Sequence, residues 1–505
     1  MDDSRRVSSD RIGRADPRYR ELTRRGVNRA YLGAPDYVRL VASTEQVVEA
    51  VQDAVREGAR IGIRSGGHCL EGFVDDPSVR ALIDTSAMTG VHHDPARGAF
   101  AVAAGTTLGE VYRRLHRGWG VLLPAGQYPE VGVGGHVVGG AFGFLHRQHG
   151  LAVDHLDAVE VVVVDDGKTA RSLVATRAPD DPHRDLFWAH TGGGGGNFGI
   201  VTRCWFRSPG VTGSDPHGLL PRAPDQVLVF RAGWRWDGLD PDSFVRLAGN
   251  FGRWAEEHSA PDDPACALFA LLLLLPKPAG HVEVKGLAIG PRAEELVAEH
   301  LAALGADVGA PATRATERLD WLDFALRPFP ELFASAAPGA LKVKDALLRR
   351  PFTDEQLRAA YPWLSGEHGP PRGVMGMATY GGRVNAVAPD ATAYPARAAI
   401  LDIACNTGWA DAAQGEASLA WVRGLYGALF ASTGGAPVPG PSYDGALINH
   451  PDSDHLDPSR NRSGVPWAEL YYQGNLPRLR CIKARYDPAN LFRHRMSIEP
   501  ASNEP

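Results

Sequence analysis

Three dense clusters of glycine, all between residues 64 and 201, constrain this chain more than any other feature. They occupy residues 64–68, 131–140 and 192–199. Glycine takes positive φ angles without steric cost, so its backbone can approach a bound group closely. Glycines that only mark turns are the alternative explanation, but such density at three places favours backbone contact with one extended ligand.

The first cluster also carries side chains with chemistry of their own. His68 follows the pair Gly66 and Gly67 after a short apolar strand, and Arg64 adds a permanent positive charge. Backbone amides in a Gly-Gly turn favour an anion. The sequence therefore predicts a phosphate-bearing cofactor touched by the His68 imidazole, and the alternative is a histidine that only hydrogen-bonds within the turn.

The third cluster matches the dinucleotide-binding string at Gly194, Gly196 and Gly199, but its context excludes that fold. The fingerprint needs a strand before it and a helix after it. Here residues 200–206 are β-branched and aromatic, which predicts a strand instead. No Gly-Lys-Ser or Gly-Lys-Thr follows any cluster, so a P-loop is excluded as well.

Composition and charge narrow the class of protein. A chain of 505 residues predicts two or three domains, and a net charge of -6 argues against a general nucleic-acid binder. The longest apolar run, residues 265–275, is too short to cross a bilayer and predicts a buried strand. We expect no membrane span, no signal peptide and, from five cysteines without paired spacing, a reduced cytoplasmic protein.

The pattern of elements predicts an α+β chain in which one mixed domain precedes an antiparallel sheet covered by helices. Helices are expected after capping boxes at Ser43 and Thr107, and a linker is expected over 207–222, which is rich in Pro, Gly and Ser. In the first domain, strands are predicted at 37–41, 61–63, 82–84, 99–102, 161–164 and 200–206.

Several motifs occur in the order and spacing of a known flavoprotein family. They are the glycine clusters with their flanks, Tyr380 in a Tyr-Gly-Gly string, and the tail from Tyr471 to Phe492. On these motifs the chain resembles the vanillyl-alcohol-oxidase or PCMH-type FAD-linked oxidases. It is most similar to the berberine-bridge-enzyme-like branch, and within it to actinomycete members that tailor secondary metabolites.

The resemblance implies a two-part PCMH-type FAD-binding domain plus an antiparallel-sheet substrate domain covered by helices. The implied divisions are a lead-in (1–33), the FAD-binding domain (34–206), the substrate domain (207–430) and a C-terminal segment returning to the FAD domain (431–505). The implied cofactor-binding residues are Arg64, Ser65, Gly66, Gly67, His68, Cys69, Tyr128, Val131, Gly132, Gly134, Gly135, His136, Gly139, Gly140, Gly196, Asn197, Gly199, Ile200, Val201 and Asn475.

His68 matches the family histidine that bonds to the flavin 8α-methyl carbon. Many relatives carry a second link from a cysteine in a Gly-x-Cys-Pro segment, but Tyr128 stands at that position here. Cys69 matches no cysteinyl linkage position and is expected to be a small buried residue. The resemblance therefore implies FAD held by a single covalent bond, with no cysteinyl link.

Tyr471 occupies the position of the family's catalytic base, and Tyr380 matches a tyrosine close to flavin and substrate. Asn475 matches a residue near the flavin pyrimidine edge, whereas His136 is expected to support its loop. Two further groups are predicted to carry no chemistry. His146 and His149 have metal-ligand spacing without an acidic partner, so no metal is expected, and the acidic loop at 452–457 is predicted to be solvated.

The function implied by the resemblance is oxidation of an alcohol or C–H group on a natural product or sugar in secondary-metabolite biosynthesis. Hydride would pass to flavin N5, and O2 would reoxidise the flavin with release of hydrogen peroxide. The alternatives are a flavin dehydrogenase that uses another acceptor and an oxidative cyclase on the same scaffold. A non-catalytic ligand-binding protein that kept the scaffold is a further alternative, against which His68, Tyr380 and Tyr471 argue.

Overall fold

A computed structural model describes residues 10–327, 339–366, 369–370 and 372–501, and the structural statements below concern these residues. They form three sheets with helices between and around them, which confirms the predicted α+β class. Residues 1–9 of the expected lead-in lie outside the described residues. The division of the whole chain into four segments stays a prediction.

The first sheet delivers the first glycine cluster. Its strands are β1 (Arg11–Gly13), β2 (Tyr37–Leu40), β3 (Ile61–Arg64) and β4 (Ala81–Asp84). Their order is β1-β2-β4-β3, with β2, β4 and β3 parallel and β1 antiparallel to β2. Because β3 ends at Arg64, the glycine turn begins at the carboxyl end of a parallel strand, where α/β sheets commonly bind ligands.

The second sheet is antiparallel and carries the third glycine cluster into its central strand. Its strands are β5 (Val91–Asp94), β6 (Ala99–Ala103), β7 (Leu156–Asp165), β8 (Thr169–Thr176) and β9 (Ile200–Phe206), in the order β5-β6-β9-β7-β8. The predicted strand at 200–206 is confirmed as β9. The third cluster therefore leads into a strand, and the exclusion of a dinucleotide fold is confirmed.

The third sheet is antiparallel and has seven strands in the order β13-β10-β12-β11-β15-β16-β14. Its edge strands are β13 and β14. The seven strands are β10 (Gln226–Arg235), β11 (Leu268–Leu274), β12 (His281–Ala288), β13 (Thr313–Asp320), β14 (Ala340–Leu348), β15 (Val374–Thr379) and β16 (Leu401–Trp409).

The α-helices of the described residues complete the fold, and four of them, α7, α8, α10 and α11, pack on one face of the seven-stranded sheet. None of the described helices combines the length and apolar character needed to cross a bilayer. In chain order the helices are α1 (Tyr19–Leu22), α2 (Thr44–Glu57), α3 (Leu108–Trp119), α4 (Val133–His136), α5 (His146–His149), α6 (Arg184–Ala189), α7 (Pro241–Glu257), α8 (Ala293–Gly305), α9 (Trp321–Ala325), α10 (Asp354–Ser365), α11 (Gly415–Leu429), α12 (Trp467–Tyr472) and α13 (Leu476–Tyr486).

Strand β11 is apolar along its whole length because both of its faces are buried. Leu268, Ala270, Leu272 and Leu274 belong to the core beneath the helices, whereas Phe269, Leu271 and Leu273 belong to the core on the opposite side. Successive side chains of a strand point to opposite faces, so a strand that is buried on both faces has a continuous apolar sequence. This second face is the one that reaches the candidate site.

Three local predictions differ from the structure. Ser43 accepts a hydrogen bond from the Gln46 amide as predicted, but the Thr107 side chain makes no capping bond. The predicted strand at 265–275 begins only at Leu268, after a 3-10 turn over Pro264–Ala267. The expected linker at 207–222 is partly packed, because Leu219 and Leu220 are buried in a core that contains residues of the second and third sheets.

Candidate cofactor and substrate cavity

One cavity of about 750 Å³ is lined by all three glycine clusters and by the face of the seven-stranded sheet opposite its helices. The clusters form one side of the cavity. The opposite side consists mainly of apolar side chains from β11, β14 and β15, among them Phe269, Leu271 and Val343. This volume lies in the range of small-molecule and cofactor sites, which combine apolar walls with a few polar groups.

The first two glycine clusters are in direct contact. A Cβ atom added to Gly66 would overlap the backbone of Gly132, and one added to Gly132 would overlap Ser65 Oγ and the backbone of Gly66. Ser65 Oγ donates a hydrogen bond to the carbonyl of Ala104, 2.7 Å away, which holds the turn against the second sheet. Only glycine at both positions lets the two segments form a continuous backbone wall.

Arg64 does not direct its charge at the cavity, contrary to the sequence prediction. Its guanidinium is buried and donates from Nε and Nη2 to Oδ2 of Asp84, over 3.0 and 2.8 Å. Arg25 donates to the same carboxylate oxygen at 2.8 Å. The side chain of Arg64 therefore anchors the end of β3, although the residue lies on the cavity wall together with the turn that follows it.

His68 and Tyr128 both line the cavity, and their ring centroids are 6.1 Å apart. Burial lowers the pKa of His68, so the neutral imidazole predominates near neutral pH. Burial raises the pKa of the Tyr128 phenol. Cys69 also lines the cavity, but its Sγ contacts the carbonyl of Glu71 at 2.9 Å and burial raises its pKa to about 11, so the neutral thiol is favoured.

His136 supports its loop, as the sequence analysis expected. Its Nε2 accepts a hydrogen bond from the Gly126 amide at 2.9 Å, and burial lowers its pKa to about 3. The bond ties the second glycine cluster to the segment that carries Tyr128. His136 is therefore a neutral structural acceptor on the cavity wall.

The third cluster is held by Asn197 and the C-terminal segment. Asn197 Nδ2 donates to the Gly193 carbonyl, and its Oδ1 accepts from the Ile498 amide. Lys483 on α13 donates to the Asn197 carbonyl and to Asp487, both at 2.6 Å. Lys483 and Asp487, motif residues of the C-terminal segment, thus help to fix the shape of the third glycine cluster.

Tyr471 lies outside the cavity wall. Its hydroxyl accepts a hydrogen bond from the Asp452 amide and lies 3.0 Å from Nδ1 of His455. Burial, with the nearby Asp452 carboxylate, raises the pKa of Tyr471 well above its ordinary value. A buried phenol behind the wall is poorly placed to take a proton from a substrate, so the structure does not support the sequence assignment of Tyr471 as the base.

Three other predicted residues are also displaced from the wall. Tyr380 is fully buried, with its hydroxyl 2.9 Å from that of Tyr394, and it packs edge-on behind Phe142. Asn475 Nδ2 donates to the carbonyls of Pro389 and Thr392, so its amide organises a loop. Gly140 has φ 120° and packs against the ring of Tyr394. The remaining predicted cofactor-binding residues line the cavity.

Sequence reasoning missed the polar residues that the sheet and the C-terminal loop bring to the cavity. Asp402 and Asn406 point there from β16, with Ala404 between them, whereas Ile403 and Cys405 face the helices. His450 joins them from the loop after β16 and α11. The available signal was two polar residues, at positions 402 and 406, on one face of an otherwise apolar strand.

The acidic loop at 452–457 is not solvated as predicted, since Asp452, Asp454 and His455 are buried. Lys342 and Lys344 of β14 form ion pairs with these carboxylates, and Lys342 also pairs with Glu71 from the segment after His68. We call Glu71, Lys342, Lys344, Asp452 and Asp454 the buried ionic cluster. It joins the segment after His68, the seven-stranded sheet and the loop of His450.

Comparisons with known proteins agree with this architecture. A family model described as an FAD binding domain matches residues 35–172, and one described as berberine and berberine like matches residues 446–499. The glycine-lined cavity between the two smaller sheets and the large sheet thus defines the class of protein, an FAD-linked oxidoreductase.

The chain is 46% identical over 501 residues to the aclacinomycin-N/aclacinomycin-A oxidase of Streptomyces galilaeus, covering 98% of this chain and 90% of that protein. It is 29% identical to the hexose oxidase of Chondrus crispus, covering 98% and 96%. The crystal structure of a glycopeptide hexose oxidase complexed with teicoplanin has a TM-score of 0.93 at 44% identity, covering 98% of this chain and 99% of that chain. This chain belongs to the berberine-bridge-enzyme-like family of FAD-linked oxidases.

Proposed function

We propose that the protein oxidises a hydroxyl-bearing carbon of a sugar or glycosylated natural product, with FAD as the hydride acceptor and O2 as the final oxidant. The observation that carries the proposal is the single cavity in which the three glycine clusters face the apolar side of the seven-stranded sheet. When bound, FAD accepts the hydride and passes the electrons to O2, which yields hydrogen peroxide.

The residues present fit an extended flavin nucleotide. Gly135 lines the cavity, and a Cβ atom added there would meet no atom within 4 Å, so the missing side chain leaves room for a ligand. Gly194, Gly196 and Gly199 have positive φ angles that expose backbone to the same space. Backbone amides held in this way can bind a diphosphate without a cationic side chain, which agrees with Arg64 being paired to Asp84.

His68 would supply the only covalent tether. Its imidazole is favoured in the neutral form by burial, which leaves a nitrogen free to bond to carbon. Tyr128 stands where many relatives have the cysteine of the second link, and Cys69 has its sulfur against the Glu71 carbonyl. We therefore propose one histidyl bond and no cysteinyl bond.

The substrate would occupy the part of the cavity beside the seven-stranded sheet. Phe269, Leu271 and Val374 offer an apolar surface there, and Asn406 adds a polar group. Oδ1 of Asn406 lacks a hydrogen-bond partner among the described residues. Such a wall suits a ligand with both a hydrophobic face and hydroxyl groups.

The free state of the cysteines agrees with a reducing compartment. All five cysteines are free, and three of them, Cys204, Cys266 and Cys405, are buried. We propose a cytoplasmic location on this basis.

The test starts from the purified holoenzyme. Acid-precipitated protein should stay yellow and gain the mass of one FAD, and His68→Ala should release its flavin on precipitation. Anaerobic mixing with aclacinomycin A, teicoplanin or D-glucose should then bleach the flavin, and air should restore its colour with release of hydrogen peroxide. A colourless chain that takes up no FAD contradicts the cofactor proposal. Bleaching that air does not reverse indicates a dehydrogenase, and bleaching by none of the three compounds contradicts the proposed substrate class.

A further inference from the structure

His450 lies where the substrate part of the cavity meets the glycine wall. It lines the cavity beside Asn449 and Asp402, and its ring is 6.2 Å from that of Phe142. The side chain keeps 30% of its surface exposed, and the two residues that follow it, Pro451 and Asp452, are buried. His450 therefore combines access to the cavity with a fixed surrounding.

One ring nitrogen of His450 is already committed. Nδ1 lies 3.1 Å from Oδ2 of Asp345 on β14, a carboxyl group with no exposed surface. Among the described residues, Nε2 makes no hydrogen bond. A carboxylate acceptor at Nδ1 selects the tautomer with the proton on that nitrogen, which leaves the lone pair on Nε2 for the cavity.

Asp345 is itself held by two further groups. Its Oδ1 accepts from the Leu447 amide at 2.8 Å, and its side chain is hydrogen-bonded to that of Asp402. Burial raises the pKa of Asp345 to about 7 and, with the Asp345 charge, raises that of Asp402 well above its ordinary value. Asp402 is thus the member of the pair that keeps a proton more readily, and this proton can be donated to the Asp345 carboxylate.

The other histidines on the cavity wall are placed differently. His136 and His494 direct Nε2 to the backbone of Gly126 and Gly195, respectively, within or beside the glycine segments. His190 directs Nδ1 to the Leu186 carbonyl on α6. His68 is the tether in the proposed function. None of these four is hydrogen-bonded to a carboxylate in the part of the chain that the structure describes.

We propose that His450 is the base of the oxidation and that Asp345 and Asp402 are its positioning residues. This inference rests on the proposed function. Nε2 of His450 takes the hydroxyl proton of the substrate, the O–H electron pair forms the second bond of the carbonyl, and the hydrogen on the same carbon leaves as hydride to the flavin. The imidazolium that results is stabilised by Asp345, in the way that a carboxylate stabilises histidine in other His–Asp pairs.

A kinetic test compares two histidine–aspartate pairs of the same chain. His450→Gln should slow anaerobic flavin reduction by about 100-fold or more, the usual effect of a lost general base, while flavin content stays unchanged. His258→Gln is the matched control, because Nδ1 of His258 also lies 3.1 Å from a carboxylate, Asp263, but outside the cavity. The probe is whichever of aclacinomycin A, teicoplanin and D-glucose reduces the wild type fastest.

The pH profile and the tautomer give independent readouts. The titratable groups around His450 are Asp345 on β14, Asp402 on β16 and His136 on α4. Protonation of His450 should slow flavin reduction at low pH, and His450→Gln should lose this acid limb. In the ¹⁵N spectrum of histidine-labelled holoenzyme, the resonances absent from His450→Gln should report a proton on Nδ1 and a lone pair on Nε2.

The outcomes separate this inference from the proposed function. A wild-type flavin that none of the probes reduces contradicts the proposed function. If the wild type is reduced but His450→Gln reacts within about threefold of it with the same pH profile, His450 is not the base. A proton on Nε2 of His450 in the spectrum also overturns the proposal, whatever the activity. Asp345→Asn should retain flavin and lower the reduction rate less than His450→Gln does, as expected of a positioning residue.

Discussion

The Lys342 ammonium group on β14 lies 2.7 Å from Oδ1 of Asp452, and both side chains are almost fully buried. Lys342 also pairs with Glu71, which follows the proposed tether residue His68 by three positions. The Asp452 backbone follows His450 by two positions. One lysine on the seven-stranded sheet therefore links the segment after His68, the proposed tether, to the loop of His450, the proposed base.

Replacing Lys342 by Met should destabilise the holoenzyme by about 3–5 kcal/mol, because buried Glu71 would lose its charged partner and buried Asp452 would keep only Lys344. Burial alone would raise the pKa of Asp452, and Lys344 and Lys342 outweigh it and hold that pKa below its ordinary value. Thermal unfolding followed by circular dichroism measures the change. Arg292→Met, which removes an exposed pair with Glu295, should leave Tm unchanged, and an equal loss in both variants would contradict the special role of the cluster.

Replacing Tyr471 by Phe should alter stability more than chemistry. The variant loses a hydroxyl that contacts the Asp452 amide and His455, at a cost of about 1 kcal/mol. Flavin reduction should change by less than about 10-fold, far below the loss expected for a general base. Stopped-flow reduction measures this, and a slowing as large as that of His450→Gln would restore Tyr471 to the mechanism.

Replacing Tyr128 by Cys should add a second covalent link to the flavin. Tyr128 and His68 line the same cavity with ring centroids 6.1 Å apart, and a thiol at this position matches the family pattern of two links. Mass spectrometry of a protease digest should find the peptide of His68 joined through the flavin to the peptide of position 128. Tyr128→Phe is the control and should keep one link, and a digest of Tyr128→Cys with only the histidyl link would refute the prediction.

Replacing His300 by Leu should stabilise the protein increasingly as the pH falls below 6.5. Neither ring nitrogen of His300 has a hydrogen-bond partner among the described residues, and burial lowers its pKa to about 3. Between these values the unfolded chain binds a proton that the folded protein does not, so the wild type loses stability as pH falls from 6.5 towards 3. At pH 5 the difference amounts to about 2 kcal/mol.

Thermal unfolding of wild type and His300→Leu between pH 5 and 8 checks this sign. The gap in Tm should widen towards pH 5 and narrow above 6.5. The exposed residue His92 serves as the control, since His92→Leu removes a histidine that solvent can reach. A gap that does not depend on pH would mean that His300 titrates alike in the folded and unfolded states.

Local sequence patterns predicted the elements that depend on neighbours in the chain. The cap of Ser43 and the strand at 200–206 were both found. Thr107 shows the limit of such local patterns, because the spacing of a capping box does not decide whether the side chain forms the capping hydrogen bond. The expected linker at 207–222 shows a similar limit, since Leu219 and Leu220 within it are buried by contacts that composition does not reveal.

By itself, the sequence determined the class of cofactor and the wall that faces it. The backbones at positions 66 and 132 are in contact and leave no room for a Cβ atom, so both positions require glycine. The sequence shows this requirement directly, because glycine stands at both. Only the tertiary structure decided which polar groups reach the reaction space. Tyr471 and His450 both lie in the C-terminal part of the chain, yet Tyr471 is turned behind the cavity wall, whereas His450 is fixed to Asp345, 105 residues away. Side-chain direction depends on partners distant in the chain, and no local pattern encodes them.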